Sequence, residues 1–171
     1  MGQFVMLPKI RKELPEIISR QVERVFLTMF NVRIERADRL AGSYNDDDLI
    51  STVTFSQGET KIILRIGVPR MFLSSLLQKI YGPVIGSHEM TYEDSVCEIT
   101  NIVGNAVKKH LNEHGYSFVM SIPKIDFDFH TRYEKGSDDH MELEFVFNGE
   151  RLSVDMITFY RGIFEGDEVF I

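Results

Sequence analysis

Residues 91–115, TYEDSVCEITNIVGNAVKKHLNEHG, decide how the rest of the chain is read. At about 100° per residue, Val96, Ile99, Val103, Ala106 and Val107 gather on one side, with Ile102 and Leu111 at its margins. Asp94, Glu98, Asn101, Asn105, Lys108 and Asn112 gather on the other. Thr91 and Asp94 have the spacing of a helix cap, acidic residues sit at the positive N-terminal end, and Gly115 follows the last turn. The stretch is therefore an amphipathic helix with one continuous polar stripe. For most helices such a stripe is plain solvated surface. This one is unusual in composition, because it holds three asparagines, with Gly104 beside one of them. Asn disfavours helices, since its amide competes with the backbone for hydrogen bonds, and stability alone would favour Lys, Gln or Ala. Glu98 and Asn101, one turn apart, place a carboxylate beside a neutral carboxamide.

Working outward, the apolar spacing of Leu14, Ile17, Ile18, Val22, Val25, Phe26 and Met29 predicts a helix over about Pro8 to Phe30, with Pro15 marking a kink or the true start. NVRIERADRL reads as extended and AGSYNDDDLI as a loop. ISTVTFS and TKIILRIGV, parted by Gln57-Gly58-Glu59, read as a β-hairpin. PRMFLSSLLQKIYG reads as a helix between Pro69 and Gly82. YSFVMSI, KIDFDFHTRY, HMELEFVFN and RLSVDMITFY read as strands, with KIDFDFH and MELEFVF alternating so that each has one buried face. The expected fold class is α+β, long helices packed on a mainly antiparallel sheet. Helix-then-strands occurs twice, consistent with a degenerate internal repeat. The expected organisation is a single domain over residues 1–171, with 160–171 a tail of unassigned role.

The 171 residues suffice for a substantial core, and 43% apolar with 26% charged residues is an ordinary globular balance. A net charge of -7 with scattered Lys and Arg argues against nucleic acid or an anionic membrane surface as partner. Cys97, the single cysteine, excludes an intrachain disulfide and a cysteine zinc cage. No run of roughly 18 apolar residues and no secretory signal pattern occurs, so the expected location is cytoplasmic.

Asp94, Glu98 and Asn101, followed by IVGNA, resemble the signature of the CheC, CheX and FliY phosphatases of bacterial chemotaxis, in which Asp or Ser is followed by Glu and then Asn at this spacing. Pro123 lies close to the place of a proline in that pattern, and the element order is similar over roughly residues 30–160. The resemblance implies a CheC-like fold and hydrolysis of the aspartyl phosphate of a response regulator such as CheY. It implies that Asn101 positions the attacking water and that Glu98 pairs with the regulator's lysine. Asp94 is a weaker candidate for partner docking, with helix capping an equal account, and Asn105 extends the docking surface. The resemblance implies no cofactor of the chain's own, with Mg²⁺ carried by the partner regulator. A single Glu-x-x-Asn in the chain favours the CheX pattern, which implies a homodimer joined through sheet edges.

Two other readings stay open. HLNEH, residues 110–114, fits a two-histidine zinc-peptidase pattern with Glu113 as base. Its position in a last helical turn instead suits histidines that complement the helix dipole, so no metal is expected. The other is a non-catalytic docking or adaptor module on the same fold.

Overall fold

A computed structural model describes Met6 and residues 8–40, 44–82, 91–127 and 137–160. The elements in chain order are α1 (Pro8–Phe30), β1 (Glu35–Arg36), β2 (Asp48–Gln57), β3 (Thr60–Pro69), α2 (Arg70–Tyr81), α3 (Tyr92–Glu113), β4 (Val119–Met120), β5 (Lys124–Ile125), β6 (Asp139–Phe147) and β7 (Glu150–Phe159). Each boundary has a local cause. Asn31 in the left-handed region (φ 55°) ends α1, its amide donating to the Leu27 carbonyl at 3.1 Å in an αL closure. Gly58 (φ 58°) turns β2 into β3. Asn148 and Gly149, both at positive φ, make the tight turn of the β6–β7 hairpin.

All strand pairs described are antiparallel, in the order β1-β6-β7-β3-β2-β4, with β5 also on β2. This order is unchanged when read from the other end with β1 exchanged for β4, β2 for β6 and β3 for β7. Each half of the chain is thus a long helix, a short edge strand and a hairpin, and each edge strand pairs with the other half's hairpin. The expected internal echo is a pseudo-two-fold. α2 has no counterpart in the second half among the described residues.

The core lies between one face of the sheet and the three helices. Val53 and Phe55 of β2, Leu64 and Ile66 of β3, Phe145 of β6 and Val154 of β7 point into it. Ile10, Leu14, Ile18, Val22 and Phe26 of α1 cover them, and Phe72 of α2 stacks on Phe26 at 6.3 Å. Each such fully buried side chain stabilises the fold by about 1.5–3 kcal/mol.

The opposite face holds a feature that periodicity did not predict. Arg65 of β3 and Asp155 of β7 form a buried ion pair, with Arg65 Nε 2.8 Å from Asp155 Oδ1. Tyr44 lies over Gly67, where a Cβ would come within 2.4 Å of its ring, and the Arg65 guanidinium carbon sits 5.4 Å from the centroid of that ring. Burial works to raise the Asp155 pKa, but the His140 imidazole 3.6 Å away, the hydrogen bonds from Arg65 and the Arg65 charge outweigh it and leave the carboxyl below its ordinary value. Removing one partner would strand the other charge, at a cost of about 3–5 kcal/mol.

Two strand expectations need correction. In MELEFVF, Glu144 sits on the face expected to be solvated yet is buried, because Arg151 on the neighbouring strand donates to it at 2.6 Å. KIDFDFH is not a long alternating strand where it is described. Only Lys124 and Ile125 pair with β2, and Phe127 is 88% exposed, while residues 128–133 lie outside the described residues. β2 begins at Asp48, just beyond the Ser51–Ile125 pair, so it cannot partner the whole stretch. Residues 121–123 face only Val53 and Thr54, so the strand bulges, and Pro123 has no amide to offer the ladder. The tail, 161–171, lies outside the described residues.

Candidate functional site

α3 begins with the expected capping box. The Asp94 amide donates to Thr91 Oγ1 at 3.1 Å, and the Thr91 amide donates to Asp94 Oδ2 at 3.1 Å. Hydrogen bonds from the Thr91 backbone and hydroxyl hold the Asp94 pKa below its ordinary value. Asp94 is thereby engaged in the cap, which favours the structural account of that residue over docking.

The buried side of α3 is wider than periodicity alone suggested. Ser95, Val96, Ile99, Thr100, Val103, Gly104, Val107 and Leu111 are all buried, because α3 packs on α1 as well as on the sheet. Leu111, placed at the margin from the sequence, is fully buried. Gly104 belongs to this side rather than to the polar stripe. A Cβ there would lie 2.8 Å from Met120 Sδ and 3.2 Å from Val53 Cγ2, so the glycine permits close approach of α3 to the sheet. Cys97 is half-buried, and burial pushes its thiol pKa up, so it is no activated nucleophile.

The three asparagines of the stripe have three different surroundings. Asn112 ties down the chain beyond the helix, accepting from the Phe118 amide at 2.9 Å and donating to the Phe118 carbonyl at 3.3 Å. Asn105 reaches back one turn, where its Nδ2 donates to the Asn101 carbonyl at 2.9 Å and to Asn101 Oδ1 at 3.2 Å. Asn101 is half-buried, its side-chain oxygen steered by Asn105, and its amide nitrogen makes no hydrogen bond among the described residues. A carboxamide oxygen carries two lone pairs, so Asn101 Oδ1 retains one acceptor site. Glu98, one turn earlier, is exposed and makes no hydrogen bond or ion pair among the described residues. The structure thus brings Glu98, Asn101 and Asn105 together along one exposed edge. Spacing alone showed that they share a face, but not that Asn105 orients Asn101.

That edge is one face of a single helix. A helix surface cannot wrap and desolvate a small molecule, so its groups act on something that supplies the opposing wall. Glu93, Asp94 and Glu98 make the edge acidic, with Arg70 of α2 answering Glu93 at 3.7 Å.

At the far end of α3 the HLNEH stretch also differs from its sequence reading. Glu113 is exposed and faces Lys109 at 3.9 Å. The carboxylate beside the histidines is Glu13 of α1, whose Oε2 lies 3.1 Å from His110 Nε2 and 3.9 Å from His114 Nε2. Local spacing marked the two histidines, but nothing in it pairs residue 13 with residue 110, so the sequence carried no signal for Glu13.

No family model matches the chain. A match of 97 residues, 33% identical, joins it to the DNA mismatch repair protein MutS of Streptococcus gordonii; it covers 53% of this chain but only 11% of that protein. Likeness of structure is far broader. A CheC-like superfamily protein from Shewanella sp. PV-4 superposes with a TM-score of 0.69 at 20% identity, covering 86% of this chain and 97% of that one. The chemotaxis protein CheX of Vibrio vulnificus gives 0.69 at 19% identity over 86% and 99% of the two chains. A chain of the CheX–CheY–BeF3–Mg²⁺ complex from Borrelia burgdorferi gives 0.65 at 16% over 85% and 97%. No helix among the described residues is long and apolar enough to cross a membrane. The α+β architecture expected from the sequence is therefore present, and this chain has the fold of CheX and the CheC-like superfamily.

Proposed function

We propose that the chain binds a phosphorylated, CheY-type response regulator and accelerates hydrolysis of its aspartyl phosphate. The observation that carries this reading is the pairing on α3 of Glu98, exposed and unengaged among the described residues, with Asn101, whose oxygen is steered by Asn105. Likeness of fold to CheX, and to a chain of the Borrelia burgdorferi CheX–CheY complex, supports the choice of partner.

The chemistry follows from what an acyl phosphate lacks. Its regulator carries Mg²⁺ and a lysine, so the missing element is a water held in line with the scissile P–O bond. The remaining lone pair of Asn101 Oδ1 accepts a hydrogen bond from that water, and its Nδ2 donates to a phosphoryl oxygen. The water oxygen bonds to phosphorus as the P–O bond to the aspartyl carboxylate breaks. The products are inorganic phosphate and the free carboxylate, with the water's proton passing to the phosphate. A carboxylate in the place of Asn101 would repel the phosphoryl oxygens, whereas a carboxamide does not. Glu98 ion-pairs with the regulator's lysine and fixes the register of docking. Asn105 is a positioning residue, acting through Asn101. The chain contributes no cofactor, and a homodimer joined through sheet edges belongs to the same reading.

The test is the rate of phosphate loss from each response regulator of the source organism, with and without the protein. Acceleration of one cognate regulator is the expected result. A regulator that binds when activated by beryllofluoride, yet loses phosphate at an unchanged rate, would replace this reading with that of a docking adaptor.

A further inference from the structure

We propose that Glu13, His110 and His114 form a binding site for a divalent transition metal of the zinc type, which ties α1 to the last turns of α3. This inference is independent of the response-regulator reading. The rise of a helix places the cluster about 13–24 Å along α3 from Glu98 and Asn101.

The three candidate ligand atoms, one from each residue, all lie within 4.8 Å of one another. His110 Nε2 and His114 Nε2 stand 3.1 and 3.9 Å from the same oxygen, Oε2 of Glu13. A tetrahedral zinc ion with bonds of 2.0–2.1 Å holds its ligands about 3.3 Å apart, so rotation of side chains alone closes the set. The other Glu13 oxygen, Oε1, faces Lys9 at 3.8 Å, which leaves Oε2 for the metal.

The protonation pattern also suits a metal. His114 Nδ1 lies 2.8 Å from the backbone carbonyl of His110, and only a protonated Nδ1 can donate there. The proton is thus fixed on Nδ1, and the lone pair is presented on Nε2, as carbonyl partners do for metal-bound histidines. His110 Nε2 is buried and has no hydrogen-bond partner although the Glu13 oxygen is only 3.1 Å away. The distance is right for a hydrogen bond but the alignment is not. A metal placed between the three atoms satisfies this nitrogen where the carboxylate alone does not.

The donor set decides the class of ion. Two imidazoles and one carboxylate suit zinc and its first-row neighbours rather than Mg²⁺ or Ca²⁺, which prefer all-oxygen shells. His114 and Glu13 are about one-third exposed, which gives the ion a way in and leaves the fourth position to water. Glu113, exposed and facing Lys109, is not placed to act as a base on that water. The site is therefore a staple between helices and not a hydrolytic centre.

The full-length protein, stripped with a chelator and dialysed, is titrated with ZnCl2 by calorimetry and with Co²⁺ by visible absorption. One equivalent of zinc binds, the melting temperature rises, and Co²⁺ gives the intense d–d bands of a four-coordinate site. Glu13→Gln and His110→Ala each weaken zinc binding by at least about tenfold, while Asn101→Ala leaves it unchanged. Glu13→Gln keeps the shape of the side chain, and circular dichroism verifies that the variant is folded. Zinc affinity that is the same in Glu13→Gln as in the parent would overturn the proposal, since a surface histidine pair alone would then account for binding. No saturable uptake, or uptake without any rise in melting temperature, would overturn it as well.

Discussion

α1 and α3 occupy equivalent places in the two halves, and six buried positions on each align at one offset in the sequence. Ile10, Leu14, Ile18, Ser19, Val22 and Phe26 of α1 correspond to Ser95, Ile99, Val103, Gly104, Val107 and Leu111 of α3. In this correspondence Glu13 falls on Glu98 and Glu16 on Asn101. The two glutamates share a scaffold position and differ in fate. Glu13 lies beside His110 and His114, whereas the α1 positions that match those histidines are Val25 and Met29. What leaves Glu98 without an ion pair among the described residues is not its own side chain. It is the apolar character of the residues at the matching turn, together with a carboxamide in place of Glu16.

The comparison can be broken or sharpened by substitution. Asn101→Ala removes the water-holding group and lowers the accelerated rate of phosphate loss by on the order of 10²-fold. Its circular dichroism spectrum stays that of the parent, and a fully retained rate would place the chemistry elsewhere. Gly104→Leu tests the packing side of the same helix. It forces a side chain against Val53 and Met120 and costs about 1–3 kcal/mol in urea unfolding. The matching Ser19→Ala removes a buried hydroxyl that has no hydrogen-bond partner, and its stability stays within about 1 kcal/mol of the parent or rises. Glu98→Ala weakens binding to the activated regulator by about tenfold with little change in the saturated rate, as expected for a docking ion pair worth about 1.5 kcal/mol. Glu16→Asn, which writes the Glu-x-x-Asn spacing into α1, adds no activity, because Glu13 is already held beside the histidines. A doubled rate in that variant would show that spacing alone makes a site.

Much of this architecture was legible because the signals were local. The capping box at Thr91 and Asp94, the glycines and asparagine of the two hairpin turns, and the helical spacing from Leu14 to Phe26 each need only a few neighbouring residues. The candidate site was legible in the same way, since Glu98, Asn101 and Asn105 share one helix. What stayed hidden depends on residues far apart in the chain. Glu144 looks solvated until Arg151 of the next strand is placed beside it. Tyr44 looks like loop filler until Gly67 and Arg65 are put beneath it. Glu13 and His110 meet only because α1 and α3 pack together. Gly104 was misplaced for a related reason: a residue without a side chain gives no hydrophobic signal, and its side of the helix emerges only from what approaches it.

The exchange of edge strands has a consequence for how the chain reaches its native state. As the first half leaves the ribosome, β2 has β3 on one side and a bare edge on the other, since β4 and β5 have not yet been made. β1 likewise waits for β6, more than a hundred residues downstream. Such long-range pairing slows folding, and an open edge invites pairing with other chains until it is covered. A fragment ending before α3 would therefore be a trapped, sticky intermediate and not a smaller version of the protein.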